Sequence, residues 1–263
     1  MKKKVLFLLA LPFFSLAVSY TQESKQKFIG IETGIDFLTG DLPLKESIRG
    51  DVPSYYNTGV ATKNLSILFY KNYFGIKTEI MLFSDKLGLS GGFRFTNMHA
   101  SIGKNSYLTG TSDFFYLLYN QSGNTTEYLK LKDISQTSNY LGIPVELRYL
   151  FRNTDIGRFY IKTGVEFNYR LQTKTNIGFY NEAMNTFQDN VSKMVGQPGS
   201  FSSFFYGAFG LRYGKPSKPA INLELCLPTV VLSKATSGLV IPQSGGGVQV
   251  VIQIPIKQEF NKQ

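Results

Sequence analysis

The stretch Phe159-Tyr160-Ile161-Lys162-Thr163-Gly164-Val165-Glu166-Phe167-Asn168-Tyr169-Arg170-Leu171-Gln172 decides the reading of this chain. Its odd positions are apolar or aromatic except Thr163, and its even positions carry Lys162, Glu166, Asn168, Arg170 and Gln172. Side chains alternate faces along a strand, so this segment predicts a strand with one apolar face and one charged face. The same scheme recurs in Leu141, Ile143, Val145, Leu147 and Tyr149 opposite Glu146 and Arg148. It recurs again in Ile221, Leu223, Leu225 and Leu227 opposite Asn222 and Glu224, and in Val250, Ile252, Ile254 and Ile256.

A soluble sandwich also alternates, so alternation alone leaves two architectures open. Strand length favours a membrane barrel. Several candidate strands run to eleven residues or more, where soluble strands average five or six and a tilted spanning strand needs about nine to eleven. The 22 Phe and 16 Tyr flank many strand ends, where interfacial girdles form. Strands are expected near 28–38, 64–84, 87–101, 138–151, 158–173, 201–214, 219–232 and 246–257. The stretch 58–84 admits a second reading, as two strands hinged at Lys71-Asn72. The connections alternate long and short, as expected of long outer loops and short periplasmic turns. The fold class is therefore all-β, a transmembrane antiparallel up-and-down barrel of about eight strands.

The beginning of the chain reads as an export signal. Lys2, Lys3 and Lys4 precede an apolar run from Val5 to Leu16, and Ala17-Val18-Ser19 gives a small-x-small cleavage pattern. Residues 1–19 are expected to be removed, leaving 20–263 as one barrel domain. The net charge is +10, of which the three signal lysines supply three. The remaining charge is spread without a basic stripe, which argues for anionic lipid or an acidic partner rather than nucleic acid. One cysteine, Cys226, and one histidine, His99, exclude an intrachain disulfide and a multi-cysteine or histidine-rich metal site. No cofactor motif is present.

The phase of the strands sorts the charges. Glu32, Asp36, Glu79, Glu146, Glu166 and Glu224 would point inward, with Lys77, Arg94, Arg148, Lys162, Arg170 and Arg212. An eight-stranded barrel is only just wide enough for side chains to fill it, so these charges predict a plugged lumen. A narrow passive channel is the alternative.

The segment Tyr140-Leu141-Gly142-Ile143-Pro144-Val145-Glu146-Leu147-Arg148-Tyr149 resembles a strand signature of the PorT-like family, small outer-membrane barrels common in Bacteroidetes. The resemblance implies a non-enzymatic Gram-negative cell-envelope barrel that acts through partners, and its namesake is associated with protein secretion. Proline removes a ladder donor, so Pro144 is expected at a special pairing site. The chain departs from many such barrels in ending Phe260-Asn261-Lys262-Gln263 rather than on an aromatic residue.

Two candidate sites follow. The loop expected at 102–137 contains Phe114, Phe115, Tyr116, Leu117, Leu118 and Tyr119, which would form a docking patch or pack on themselves. His99 and Ser101 resemble the His-x-Ser pair of outer-membrane lipid A deacylases, with no orienting acid evident nearby unless Asp113 or Glu127 folds back. That family continues Asn-Ala-Gly, and this chain has Ile102-Gly103-Lys104. The bland reading of His99 is an ordinary interfacial histidine.

Overall fold

The computed structural model describes residues 26–44, 46–49, 67–82, 86–103, 114–122, 125–153, 157–214, 218–233 and 237–256. Residues 1–19, expected to be a signal segment, Asp113 and the tail from 257 lie outside them. Eleven strands form in chain order: β1 (Lys27–Asp41), β2 (Ile48–Arg49), β3 (Ile67–Leu82), β4 (Leu87–Ile102), β5 (Phe115–Ser122), β6 (Thr125–Asn153), β7 (Arg158–Phe179), β8 (Phe201–Tyr213), β9 (Ala220–Cys226), β10 (Val230–Val231) and β11 (Ile241–Ile256). Between β7 and β8 the described residues form a short 3-10 helix (Glu182–Phe187) that leads into an α-helix, α1 (Gln188–Val195).

Eight of these strands close a ring in which each pairs antiparallel with the next: β1, β3, β4, β6, β7, β8, β9 and β11. The seam is β11 on β1, continuous from Lys27↔Ile256 to Thr39↔Ser244. Short connections join β3 to β4, β6 to β7 and β8 to β9, and this is called the turn end here. The other end carries the long connections and is called the loop end.

Burial across the wall is inverted relative to a soluble protein. Phe93 is 66%, Leu225 60% and Phe74 53% exposed on the outside, while Arg94, Glu32 and Glu166 are at most 1% exposed within. Ring strands with apolar residues outward and charges inward require a surrounding apolar solvent. On β6 the outward row runs from Leu141 to Phe151. At about 3.3 Å per residue and a tilt near 40°, that row is about 25 Å tall, the height of a hydrocarbon belt.

Beyond the belt the pattern reverses. In β6 residues 125–138, Leu129, Leu131 and Ile134 are buried, and Asp133, Ser135 and Thr137 lie on the other face. β5 pairs with this upper part of β6, and two-residue β2 pairs with β5. The wall therefore rises past the membrane as a three-stranded sheet of β5, β6 and β7. This corrects the loop expected at 102–137: its second half is barrel wall, carrying an alternation of opposite polarity that the belt pattern does not detect.

Of three further expectations, one strand through Lys71-Asn72 and a special pairing site at Pro144 hold, and the strand at 219–232 is modified. β3 runs through Lys71-Asn72 without a break, which settles 67–82 as one strand. The strand expected at 219–232 is interrupted after Cys226, where Pro228 has no ladder donor, and resumes at Val230–Val231 on the same neighbour, β8. Pro144 falls where the β4–β6 register skips from Gly91↔Val145 to Arg94↔Gly142, a local opening of the ladder at the proline.

Candidate functional site

The lumen holds the densest chemistry. Among the described residues, six carboxylates and six cations are buried: Glu32, Asp36, Glu79, Glu146, Glu166 and Glu224, with Lys71, Lys77, Arg94, Arg148, Lys162 and Arg212. Arg94 on β4 is the hub. Its guanidinium reaches Glu32 at 2.6 Å, Glu166 at 2.6 Å and Glu146 at 3.2 Å. Lys77 bridges Glu32 at 2.9 Å and Glu146 at 2.6 Å. Lys162 lies 3.2 Å from Glu146 and also bonds Glu224. Buried charge is tolerated when each group is paired and its remaining valences are hydrogen-bonded, and this cluster meets both conditions.

Three inward tyrosines complete the network. Tyr73, Tyr160 and Tyr206 donate to Gln249 at 3.0 Å, Glu224 at 2.7 Å and Glu146 at 2.7 Å. The rings need space on the neighbouring strand, and glycine provides it. A Cβ at Gly210 would stand 2.1 Å from the Tyr160 ring, and one at Gly34 would stand 2.4 Å from the Tyr73 ring. Both glycines face those tyrosines in direct register.

Above and below this core the charges thin out. Toward the loop end Lys71 pairs with Asp36 at 3.0 Å, and toward the turn end Arg148 pairs with Glu79 at 2.6 Å. Arg212 has no carboxylate partner among the described residues; its guanidinium stacks 4.4 Å from the Phe28 ring. Lys71 is an inward cation absent from the expected set, although it shares the phase of Lys77 and Glu79 on β3. Arg170 keeps the inward phase, in register with buried Tyr140, but it is half-buried and donates to the Pro198 carbonyl rather than joining the ion-pair cluster.

Apolar layers close the column at both ends. Phe28, Met81, Leu150 and Tyr160 fill the turn end. At the loop end Leu38, Phe69, Met98, Phe115, Leu117 and Phe204 belong to a larger core that takes in α1 and the 239–240 segment. Gln136 fastens this cap. Its Oε1 accepts from the Gly238 N–H at 2.8 Å and the Leu239 N–H at 3.3 Å, and its Nε2 donates to the Gly196 carbonyl at 2.9 Å. One inward carboxamide thus holds two long connections to the wall. No motif in the sequence marks it.

The partner segment splits by strand phase. Phe115 and Leu117 are fully buried in the cap, whereas Phe114, Tyr116, Leu118 and Tyr119 are half-buried. On the outer face Lys130 Nζ lies 3.7 Å from the centroids of both Phe114 and Tyr180, and the Arg49 guanidinium stands 5.9 Å from the Tyr128 ring.

His99 and Ser101 both lie on the outer face of β4. His99 Nδ1 is hydrogen-bonded to Thr137 Oγ1 at 2.9 Å, and its ring lies 5.0 Å from Tyr70. Ser101 faces Ser135 in register. Glu127 is eight residues beyond Ser135 on β6, about 26 Å along the strand, so it does not orient His99. Among the described residues no group of three or more His, Cys, Asp or Glu side chains forms a metal site.

These observations settle the architecture. The chain is a transmembrane β-barrel of the bacterial outer-membrane type. No family model and no curated protein matches it. Among solved structures it is similar to the outer-membrane protein OprG from Pseudomonas aeruginosa, at 15% identity over 90% of this chain and 99% of that one, with a TM-score of 0.37. It is also similar to Ail, the attachment invasion locus protein of Yersinia pestis, at 10% identity over 89% and 99%, TM-score 0.32. A third likeness is to the translocator domain of autotransporter NalP from Neisseria meningitidis, at 9% identity over 96% of each chain, TM-score 0.34. The likenesses are loose, and the assignment rests on the closed ring and its inverted burial.

Proposed function

We propose that this barrel is a non-enzymatic structural or interaction element of the outer membrane, acting through the surface of its loop end. One observation carries the reading: the charged lumen is internally paired and lies between apolar layers at both ends. A filled lumen of this width leaves no path for a solute, which disfavours a passive channel. The hydrolase reading is disfavoured by the distance of Glu127 from His99. What remains is the sheet of β5, β6 and β7 standing above the belt.

The outer face of that sheet combines Phe114, Tyr116, Tyr128 and Tyr180 with Arg49 and Lys130. Aromatic and cationic side chains of this kind anchor protein interfaces, through apolar area and charge at little conformational cost. Another envelope protein is the proposed partner. A link to protein secretion follows from the PorT-like strand signature and forms part of the proposal.

The test is photo-crosslinking in cells from a reactive amino acid placed at Tyr116 or Tyr128. A discrete adduct with an envelope protein, weakened by Lys130→Glu, is expected. Absence of any adduct from both positions, with the barrel correctly inserted, would refute the reading. Deleting 102–137 is not a usable control, because residues 125–137 belong to the wall.

A further inference from the structure

The lipid-facing surface sinks into a shallow hollow of about 570 Å³ across β11, β1, β3 and β4. The register explains the dip. Val250, Thr33, Phe74 and Phe95 form one outward row, and Val248, Ile35, Asn72 and Asn97 form the next row toward the loop end. Thr33 and the two valines are short, while Phe37 above them and the Phe74 and Phe95 rings beside them stand tall, so the surface between is concave.

The polar edge of the hollow is the informative part. Asn72, Asn97 and Asn139 stand in register on β3, β4 and β6, at the level where the apolar belt ends. Asn97 Nδ2 donates to Asn139 Oδ1 at 2.6 Å. That bond leaves the Asn97 carbonyl oxygen and the Asn139 amide available. The Asn72 carboxamide makes no side-chain hydrogen bond among the described residues. Amide groups at the margin of a hydrocarbon layer are costly unless they are satisfied, and water there competes with the linkage groups of lipids.

We propose that this hollow is a specific binding site for one bilayer lipid of the loop-end leaflet. An acyl chain lies along Thr33, Val250 and Phe74, and the carbonyl of its ester or amide linkage accepts from Asn72 and Asn139. The occupant is a membrane lipid because the hollow is continuous with the belt that already faces hydrocarbon. The row of carboxamides distinguishes the site from the rest of the belt, where outward neighbours such as Val145 and Val165 face each other as plain apolar pairs.

Native mass spectrometry of the full mature barrel in detergent, titrated with a dioleoyl phosphatidylethanolamine, tests the site. A first lipid held at least tenfold more tightly than the second is expected. Thr33→Phe and Val250→Phe each fill the hollow from a different strand, and Asn72→Leu removes a donor. Each should weaken the first lipid at least fivefold, while Val165→Phe on the far wall leaves it unchanged. Folding of every variant is checked by the gel shift between unboiled and boiled samples, and two filling variants keep the test standing if one fails to fold. Equal, stepwise binding with no preferred first lipid would overturn the proposal. So would unchanged affinity in the filling variants, and unchanged affinity in Asn72→Leu would overturn the polar anchor.

Discussion

The Arg94 guanidinium on β4 lies 2.6 Å from the carboxylate of Glu166, two strands away around the ring on β7. The same side chain holds Glu32 on β1, two strands away in the other direction. One residue therefore ties five consecutive ring strands across the lumen, from β1 to β7.

Replacing Arg94 by Met keeps most of the volume and leaves Glu32, Glu146 and Glu166 with only lysines as counter-charges. Breaking one side of a buried ion pair costs about 3–5 kcal/mol. Arg94→Met should lower the free energy of urea unfolding in lipid vesicles by an amount in that range. Arg170→Met, which removes a bond to the Pro198 carbonyl outside the network, should cost about 1 kcal/mol. Equal losses from the two would show that the lumen network is not a dominant stabiliser.

The belt makes a depth-dependent prediction. Val145 lies outward near the middle of the apolar row of β6, and Ser135 lies on the outer face above it. An arginine on the lipid face near the bilayer midplane costs about 2–4 kcal/mol, falling to about 0–1 near the interface. Val145→Arg should therefore depress the stability of the inserted barrel by that larger amount, and Ser135→Arg should leave it nearly unchanged. The pair reports where the membrane ends along β6.

How much of this was legible in the sequence depended on whether a segment met the membrane. Within the belt, a period of two fixed the phase, and the positions of Glu32, Arg94, Glu146, Lys162 and Glu166 followed from it. Above the belt the outside becomes polar, so residues 125–137 read as loop although they are strand. Arg170 keeps its inward phase, but its partner, the Pro198 carbonyl, lies in a connection that strand phase does not place. Lys71 was left out although the phase of Lys77 and Glu79 carries it inward, and Asn72 is the ordinary occupant of the opposite face. Gln136 was invisible because its role comes from connections about 60 and 100 residues away, at Gly196 and Gly238. The His99/Ser101 pair shows the opposite failure, a two-residue coincidence that a single strand can produce readily.

That pair yields a direct prediction. His99 Nδ1 already engages Thr137, and Glu127 lies too far along β6 to orient the ring. A strain carrying Ser101→Ala should therefore show the same lipid A acylation pattern as the parent by mass spectrometry. Loss of an acyl-chain difference that the parent barrel produces would reinstate the hydrolase.

The cap supplies the last prediction. Gln136 accepts two backbone N–H groups from 238–239 and donates to the Gly196 carbonyl, and its neighbours Val195, Leu239 and Val240 are buried in the loop-end core. Gln136→Ala would leave those buried backbone groups without partners, at about 1–3 kcal/mol for each group that water cannot reach. The penalty falls on the connections and not on the ring, whose ladders pass Gln136 through its backbone pairings with Ala100 and Thr175. Amide exchange at 195–196 and 238–240 should therefore accelerate by tenfold or more, while exchange in the ring segments of β3, β4 and β7 stays at the parental rate. Parallel acceleration in both places would mean that cap and barrel open as one unit, and that Gln136 is a wall residue and not a fastening.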